Sequence, residues 1–188
     1  MSVAAAGKRP THATAQRDDT RWDEAVDEHR TALAAFLDSA ELLREDAWSQ
    51  PWGPGKWTRA QIAEHLALSY EAGIREVTSG EAMTVRVPPF RLKLLRLVLL
   101  PHILFHRSIP LRARSPRELR PGEVTTPRPE LLRRLRALAE RFENEMERAY
   151  HSGGGGLTHP YFGKLDAVKG MRFMAIHVEH HTRQIARG

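Results

Sequence analysis

The residues best suited to chemistry lie near the end of the chain, in M-A-I-H-V-E-H-H-T-R-Q-I from Met174 to Ile185. On a helix, His181 falls about 40° around the axis from His177, and Gln184 about 20° to the other side. His180 sits about 60° away and Glu179 points almost opposite. His177 and His181 can therefore present two imidazoles to one point, a spacing that suits two ligands of a tetrahedral or five-coordinate ion. The zinc-protease motif is excluded, because it needs Glu directly after the first histidine and Val178 stands there. A second i, i+4 pair, His102 and His106, shows that such pairs also arise by chance among ten histidines. A third candidate, His65, lies on the apolar stripe of another expected helix. Three neutral imidazoles in an apolar bundle need partners, and either a cation or satisfied core hydrogen bonds would supply them.

Four long helices must position these residues. Thr20 opens the first, to about Asp46, with Trp22, Ala25 or Val26, His29, Leu33, Phe36, Leu37, Ala40 and Leu43 at helical spacing. AWSQPWGPGKW breaks it, and its three tryptophans read as packing that pins the connection, with the lining of a ligand pocket as the alternative. Thr58 and Gln61 form a capping box, T-x-x-Q, with Trp57 and Ile62 at the staple positions. Ile62, His65, Leu66, Ser69 and Gly73 share one side of the helix that follows, which frays near Ser79-Gly80. A third helix runs from Pro127 or Pro129 to Tyr150 and buries Leu131, Leu132, Leu135, Leu138, Phe142 and Met146. Gly153 to Gly156 stop it. Asp166 caps the last helix, Ala167 to Ala186. The expected fold is all-α, an up-down four-helix bundle with a long crossover between helices 2 and 3.

That crossover, about Glu81 to Thr126, is the least regular part. FRLKLLRLVLLPHILFHR is apolar but interrupted by Arg91, Lys93, Arg96 and Pro101, so its runs are shorter than a transmembrane segment requires. It reads as an inserted helix covering the bundle or making a subunit contact, with an amphipathic helix on a membrane as the alternative. RSPRELRPGEVTTPRP then reads as an extended loop with little to pack.

Composition narrows the chemistry. The 188 residues suit one domain, and there is no cysteine, so no disulfide or protein thiolate is available. Any sulfur chemistry must use a thiol from outside. MSVAAAGKRPTHATAQRDD, residues 1–19, reads as a disordered leader, leaving 20–188 as the helical domain. It lacks the apolar run of a secretory signal, so a cytoplasmic location is expected. Net charge is +6, and Thr84 to Gly122 hold nine basic residues against Glu118. Without aromatic interleaving or a recognition motif, this stretch reads as a cationic surface rather than a nucleic-acid site. Arg112, Arg114, Arg117 and Arg120 are candidate contacts for an anionic substrate.

GKWTRAQIAEHLALS resembles the second-helix motif of the DinB/YfiT-like superfamily, in which a tryptophan and a capping residue precede a helix bearing one metal-binding histidine. THPYFGKL followed by IHVEHHTRQI resembles its HP-x-F-G loop and last-helix H-xx-HH-xx-Q pattern. The match runs from Arg21 to Ile185 and is poorest around Val87 to Arg112. The resemblance implies a four-helix bundle, often a homodimer, holding zinc, nickel or a similar divalent ion on three histidines. Carried onto this chain, these are His65, His177 and His181, with Gln184 at the family's glutamine and His180 in the HH pair. It further implies chemistry on small-molecule substrates: thiol S-transfer with a low-molecular-weight thiol, a thiol-dependent isomerisation, or no known activity. A metal-dependent hydrolase and a non-catalytic binding or stress-response protein are the other expectations.

Overall fold

A computed structural model describes residues 12–110, 115–153 and 155–186, and side chains from Asp19 onward. The elements in chain order are α1 (His12–Glu41), α2 (Glu45–Trp48), α3 (Arg59–Ser79), α4 (Pro89–Leu94), a π turn (Leu95–Leu99), α5 (Leu100–His106), a 3-10 turn (Arg117–Leu119), α6 (Arg128–His151), β1 (Thr158–His159), β2 (Gly163–Lys164) and α7 (Ala167–Ile185). The four long helices form one core: α1 packs along α7 and α3 along α6, and α6 and α3 each meet α7.

α1 begins ahead of Thr20, the expected start. Residues 12–19, assigned to the leader by composition, continue the helix, while 1–11 lie outside the described residues. Between Thr11 and Thr20 there is no Pro or Gly, so a helix nucleated on the Trp22 stripe can propagate backwards. At its other end α1 stops at Glu41, and a single turn, α2, replaces the expected continuation to Asp46. Arg128 holds this junction: its guanidinium donates to the carbonyls of Ala40 and Leu43, pairs with Glu45 at 2.8 Å and lies over Trp48.

The α3 start follows its sequence signal. Thr58 accepts from the Gln61 N–H, and the Gln61 side chain accepts from the Thr58 N–H. Ile62, His65, Leu66, Ser69 and Gly73 are all buried on one side of α3. Gly73 is required by contact: a Cβ there would lie 2.8 Å from the Phe142 ring of α6. Asp166 caps α7 by accepting from the Lys169 N–H.

A buried polar chain crosses the same core. Nδ1 of His29 lies 2.7 Å from Glu143, and a carboxylate can only accept, so Nδ1 carries the proton. Nε2 then accepts from the Tyr70 hydroxyl at 2.7 Å. α1, α3 and α6 are thereby tied together at one depth.

The crossover folds against the bundle. Leu100, Ile103, Phe162, Leu165 and Ile176 make a second apolar cluster, flanked by Leu95, Leu99, Leu104 and Phe173. Pro101 has no N–H for an α-helical bond, and the π turn just before it absorbs the mismatch, with Leu100 N–H donating to Leu95. Arg107 locks the end of α5: its guanidinium donates to Glu28 of α1 at 2.7 Å and to Glu179 of α7 at 3.1 Å. The proline-rich stretch after it packs more than expected, because Leu119 is buried in its 3-10 turn. Among the described residues, no helix is long and apolar enough to cross a membrane.

Candidate metal centre

His65 comes from the middle of α3, while His177 and His181 lie one turn apart on α7. Each reaches the site because its helix buries the neighbouring positions: Leu66 and Ser69 on α3, Met174, Val178 and Ile185 on α7. His65 and His181 are almost fully enclosed, at 4% and 6% exposure, and His177 is half-buried. The potential ligand atoms of the three lie within 4.8 Å of one another.

The rings are steeply inclined to one another, but each turns its Nε2 inward. Nε2 of His177 lies 3.2 Å from Nε2 of His65 and 3.0 Å from Nε2 of His181. On the far side, Nδ1 of His65 donates to the Leu119 carbonyl at 2.7 Å, and Nδ1 of His181 donates to Oε1 of Gln184 at 2.8 Å. Carbonyl oxygens accept only, so both Nδ1 atoms carry the proton and both Nε2 atoms present lone pairs. Between them, Nε2 of His177 can carry at most one proton in a neutral ring. Three nitrogens thus converge with too few hydrogens to satisfy them.

Burial works in the same direction. It lowers the pKa of His65, where the Leu119 carbonyl opposes the shift and His180 adds to it. It lowers those of His177 and His181 well below the usual histidine value, with the neighbouring imidazoles contributing. The rings are held neutral, as metal ligands must be. A tetrahedral ion with bonds of about 2.0–2.1 Å sets its ligand atoms about 3.3 Å apart, close to the two separations from Nε2 of His177. The arrangement fits a divalent cation, and the three histidines can hold one.

The surroundings complete the site. Trp57 lies against His65, with ring centroids 5.0 Å apart. Nε2 of His180 accepts from the Gln184 side-chain amide at 2.9 Å, so Gln184 bridges His180 to His181. Phe173 stacks near His177 and makes an edge contact with His159. His159 also stacks on Phe162, and the β1–β2 hairpin carrying it is fastened where Thr158 donates to Glu76 through both its N–H and its hydroxyl. The HP-x-F-G loop therefore builds the aromatic wall beside His177.

The structure unites His65, His177, His181, Gln184 and His180, all singled out by type and spacing. It separates Glu179, which faces Arg107 instead. His102 and His106 lie exposed on α5, with ring centroids 4.3 Å apart, away from the three. Arg112 and Arg114 lie outside the described residues. Arg117 is exposed, and Arg120 donates to the Ser115 carbonyl. Sequence reasoning missed the Leu119 carbonyl, since a backbone acceptor leaves no residue signature. For Trp57 it favoured packing over the lining of a ligand pocket, and the structure sets the ring against His65.

Neither the comparison with curated proteins nor that with solved structures finds a match. A family model does: the one described as DinB superfamily matches residues 25–185, spanning His65, the hairpin and the α7 histidines. The chain belongs to the DinB superfamily.

Proposed function

We propose that this protein is a metal-dependent enzyme of the S-transferase type, using His65, His177 and His181 as ligands of a divalent ion and a low-molecular-weight thiol as cosubstrate. The observation that carries the reading is the convergence of three Nε2 atoms, those of His65 and His181 turned inward as lone pairs by their Nδ1 donors. Three protein ligands leave a coordination position for another molecule, which distinguishes reactive sites from structural ones. A divalent ion there would favour the thiolate form of an incoming thiol at neutral pH.

The chain's own residues define what remains. Leu119 and Gln184 fix the ring orientations of His65 and His181. Trp57 on one side and Phe173 with His159 on the other restrict water and offer apolar faces to a substrate. Cysteine is absent, so the nucleophilic sulfur must enter with the thiol. In the transfer, that sulfur forms a bond to an electrophilic carbon, the bond to the leaving group breaks, and the thiol proton passes to solvent.

The test is a panel of glutathione, mycothiol and bacillithiol against an electrophile whose release is coloured. Turnover that needs both thiol and metal, and that stops on chelation, is expected. Metal-loaded protein that leaves every thiol unconsumed would favour a non-catalytic binding role.

A further inference from the structure

The helical crossover Pro89–His106 has two apolar sides, and only one is covered. Leu95, Leu99, Leu100, Ile103 and Leu104 face the second core cluster. On the opposite side Phe90, Leu94, Leu97, Val98 and Phe105 stand in solvent, with Phe90 69%, Leu97 76% and Phe105 82% exposed. These account for five of the seven large hydrophobic side chains that are exposed among the described residues. Scattered exposed hydrophobics are ordinary, but a stripe along one helix marks an interaction surface.

The stripe carries a charge pattern. Arg91, Lys93 and Arg96 are exposed on the same helix, and the sequence holds no Asp or Glu between Glu81 and Glu118. On α4, at 100° per residue, Arg91 lies on one edge of the apolar stripe and Lys93 on the other, and Arg96 is exposed in the π turn that follows. An apolar band edged by basic side chains suits a surface that is oily within and anionic at its boundary. A second copy of the chain suits it less. A two-fold contact through this face would bring the same cations of both copies together, and the crossover itself carries no acid between Glu81 and Glu118 to offset them. The platform is also fixed, because Arg107 ties its end to Glu28 and Glu179.

We propose that the outer face of Pro89–His106 docks flat on an anionic phospholipid bilayer, inserting Phe90, Leu94, Leu97, Val98 and Phe105 between headgroups. Arg91, Lys93 and Arg96 then meet the lipid phosphates. The full chain is sedimented with vesicles of phosphatidylcholine alone, or of phosphatidylcholine and phosphatidylglycerol at about three to one. Binding to the mixed vesicles and little to the neutral ones is expected, weakening as salt is raised. The variant F90S/L94S/L97S/F105S and the variant R91E/K93E/R96E should each lower the partition coefficient at least tenfold. Because all these side chains are exposed, both variants should keep the wild-type melting temperature. Absence of binding to anionic vesicles overturns the proposal, as does binding unchanged in both variants. A stripe variant that alters only the oligomeric state in sedimentation velocity also overturns it, in favour of a second copy as the occupant.

Discussion

Nδ1 of His181 donates to Oε1 of Gln184 across 2.8 Å, so the glutamine sets the direction in which Nε2 of the same ring points. The same amide donates to His180, which keeps the glutamine from rotating. Replacing such an outer partner typically lowers metal affinity about 10–100-fold. Gln184→Leu should show that loss in a competition titration while its helical circular dichroism stays at the wild-type level. His180→Gln should cost less, because it removes only the partner of Gln184. Equal affinities for all three proteins would show that the ring of His181 is held by packing alone.

The Tyr70–His29–Glu143 chain makes a stability prediction. In Tyr70→Phe the lone pair on Nε2 of the fully buried His29 loses its donor. An unsatisfied buried acceptor costs about 1–3 kcal/mol. Denaturant melts should register a loss in that range. The double variant with His29→Leu should lose less than the sum of the two single losses, since both break the same hydrogen bond.

Much of this was legible in the sequence, and the limits have physical causes. The caps of α3 and α7 are local side-chain-to-backbone bonds, so Thr58, Gln61 and Asp166 announce them directly. His177, His181 and Gln184 share a helix, and their grouping follows from its period. His65 is different: its stripe shows that it is buried but not which helix it faces, and the family pattern was needed to join it to α7. The Leu119 carbonyl, 54 residues away along the chain, was invisible because any residue could supply it. The start of α1 was misplaced because polar composition argues for disorder, while the absence of Pro or Gly lets a helix continue.

Gly156 offers a second stability test, at the hairpin that walls the site. A Cβ there would lie 1.7 Å from the Leu165 carbonyl oxygen, a backbone atom that cannot swing away. The neighbouring Leu165 N–H donates to the Leu157 carbonyl at 2.7 Å and would have to shift. Gly156→Ala should therefore lower the melting temperature and loosen the hairpin, seen as faster amide exchange from Thr158 to Leu165. Gly122→Ala, where nothing stands within 4 Å, is the control and should melt like wild type.

His159 gives the pH dependence a sign. Burial lowers its pKa from 6.5 to about 4, and its Nδ1 accepts from the Tyr161 N–H, which a protonated ring could not do. Below about 6.5 the unfolded chain takes up a proton at this residue that the folded chain does not. Stability from this group is therefore complete above 6.5 and declines as pH falls towards about 4. Glu143 adds to the lower part of that decline. Burial raises its pKa, but His29 and Arg30 outweigh burial and hold it below the usual 4.5. Its contribution is present above that value and lost as pH falls through the depressed one. Chemical melts between pH 7 and 4 should show His159→Gln with a shallower slope than wild type. Identical slopes would remove His159 from the account.

The joint binding of one divalent ion by His65, His177 and His181 underlies the whole proposal. It is tested most directly by metal analysis of the purified protein, alongside His65→Ala, His177→Ala and His181→Ala. A stoichiometric divalent ion is expected in the wild type and its loss in each variant, with melting temperature rising on metal addition only for the wild type. Wild-type protein without stoichiometric metal, together with three variants that titrate ions as it does, would contradict it.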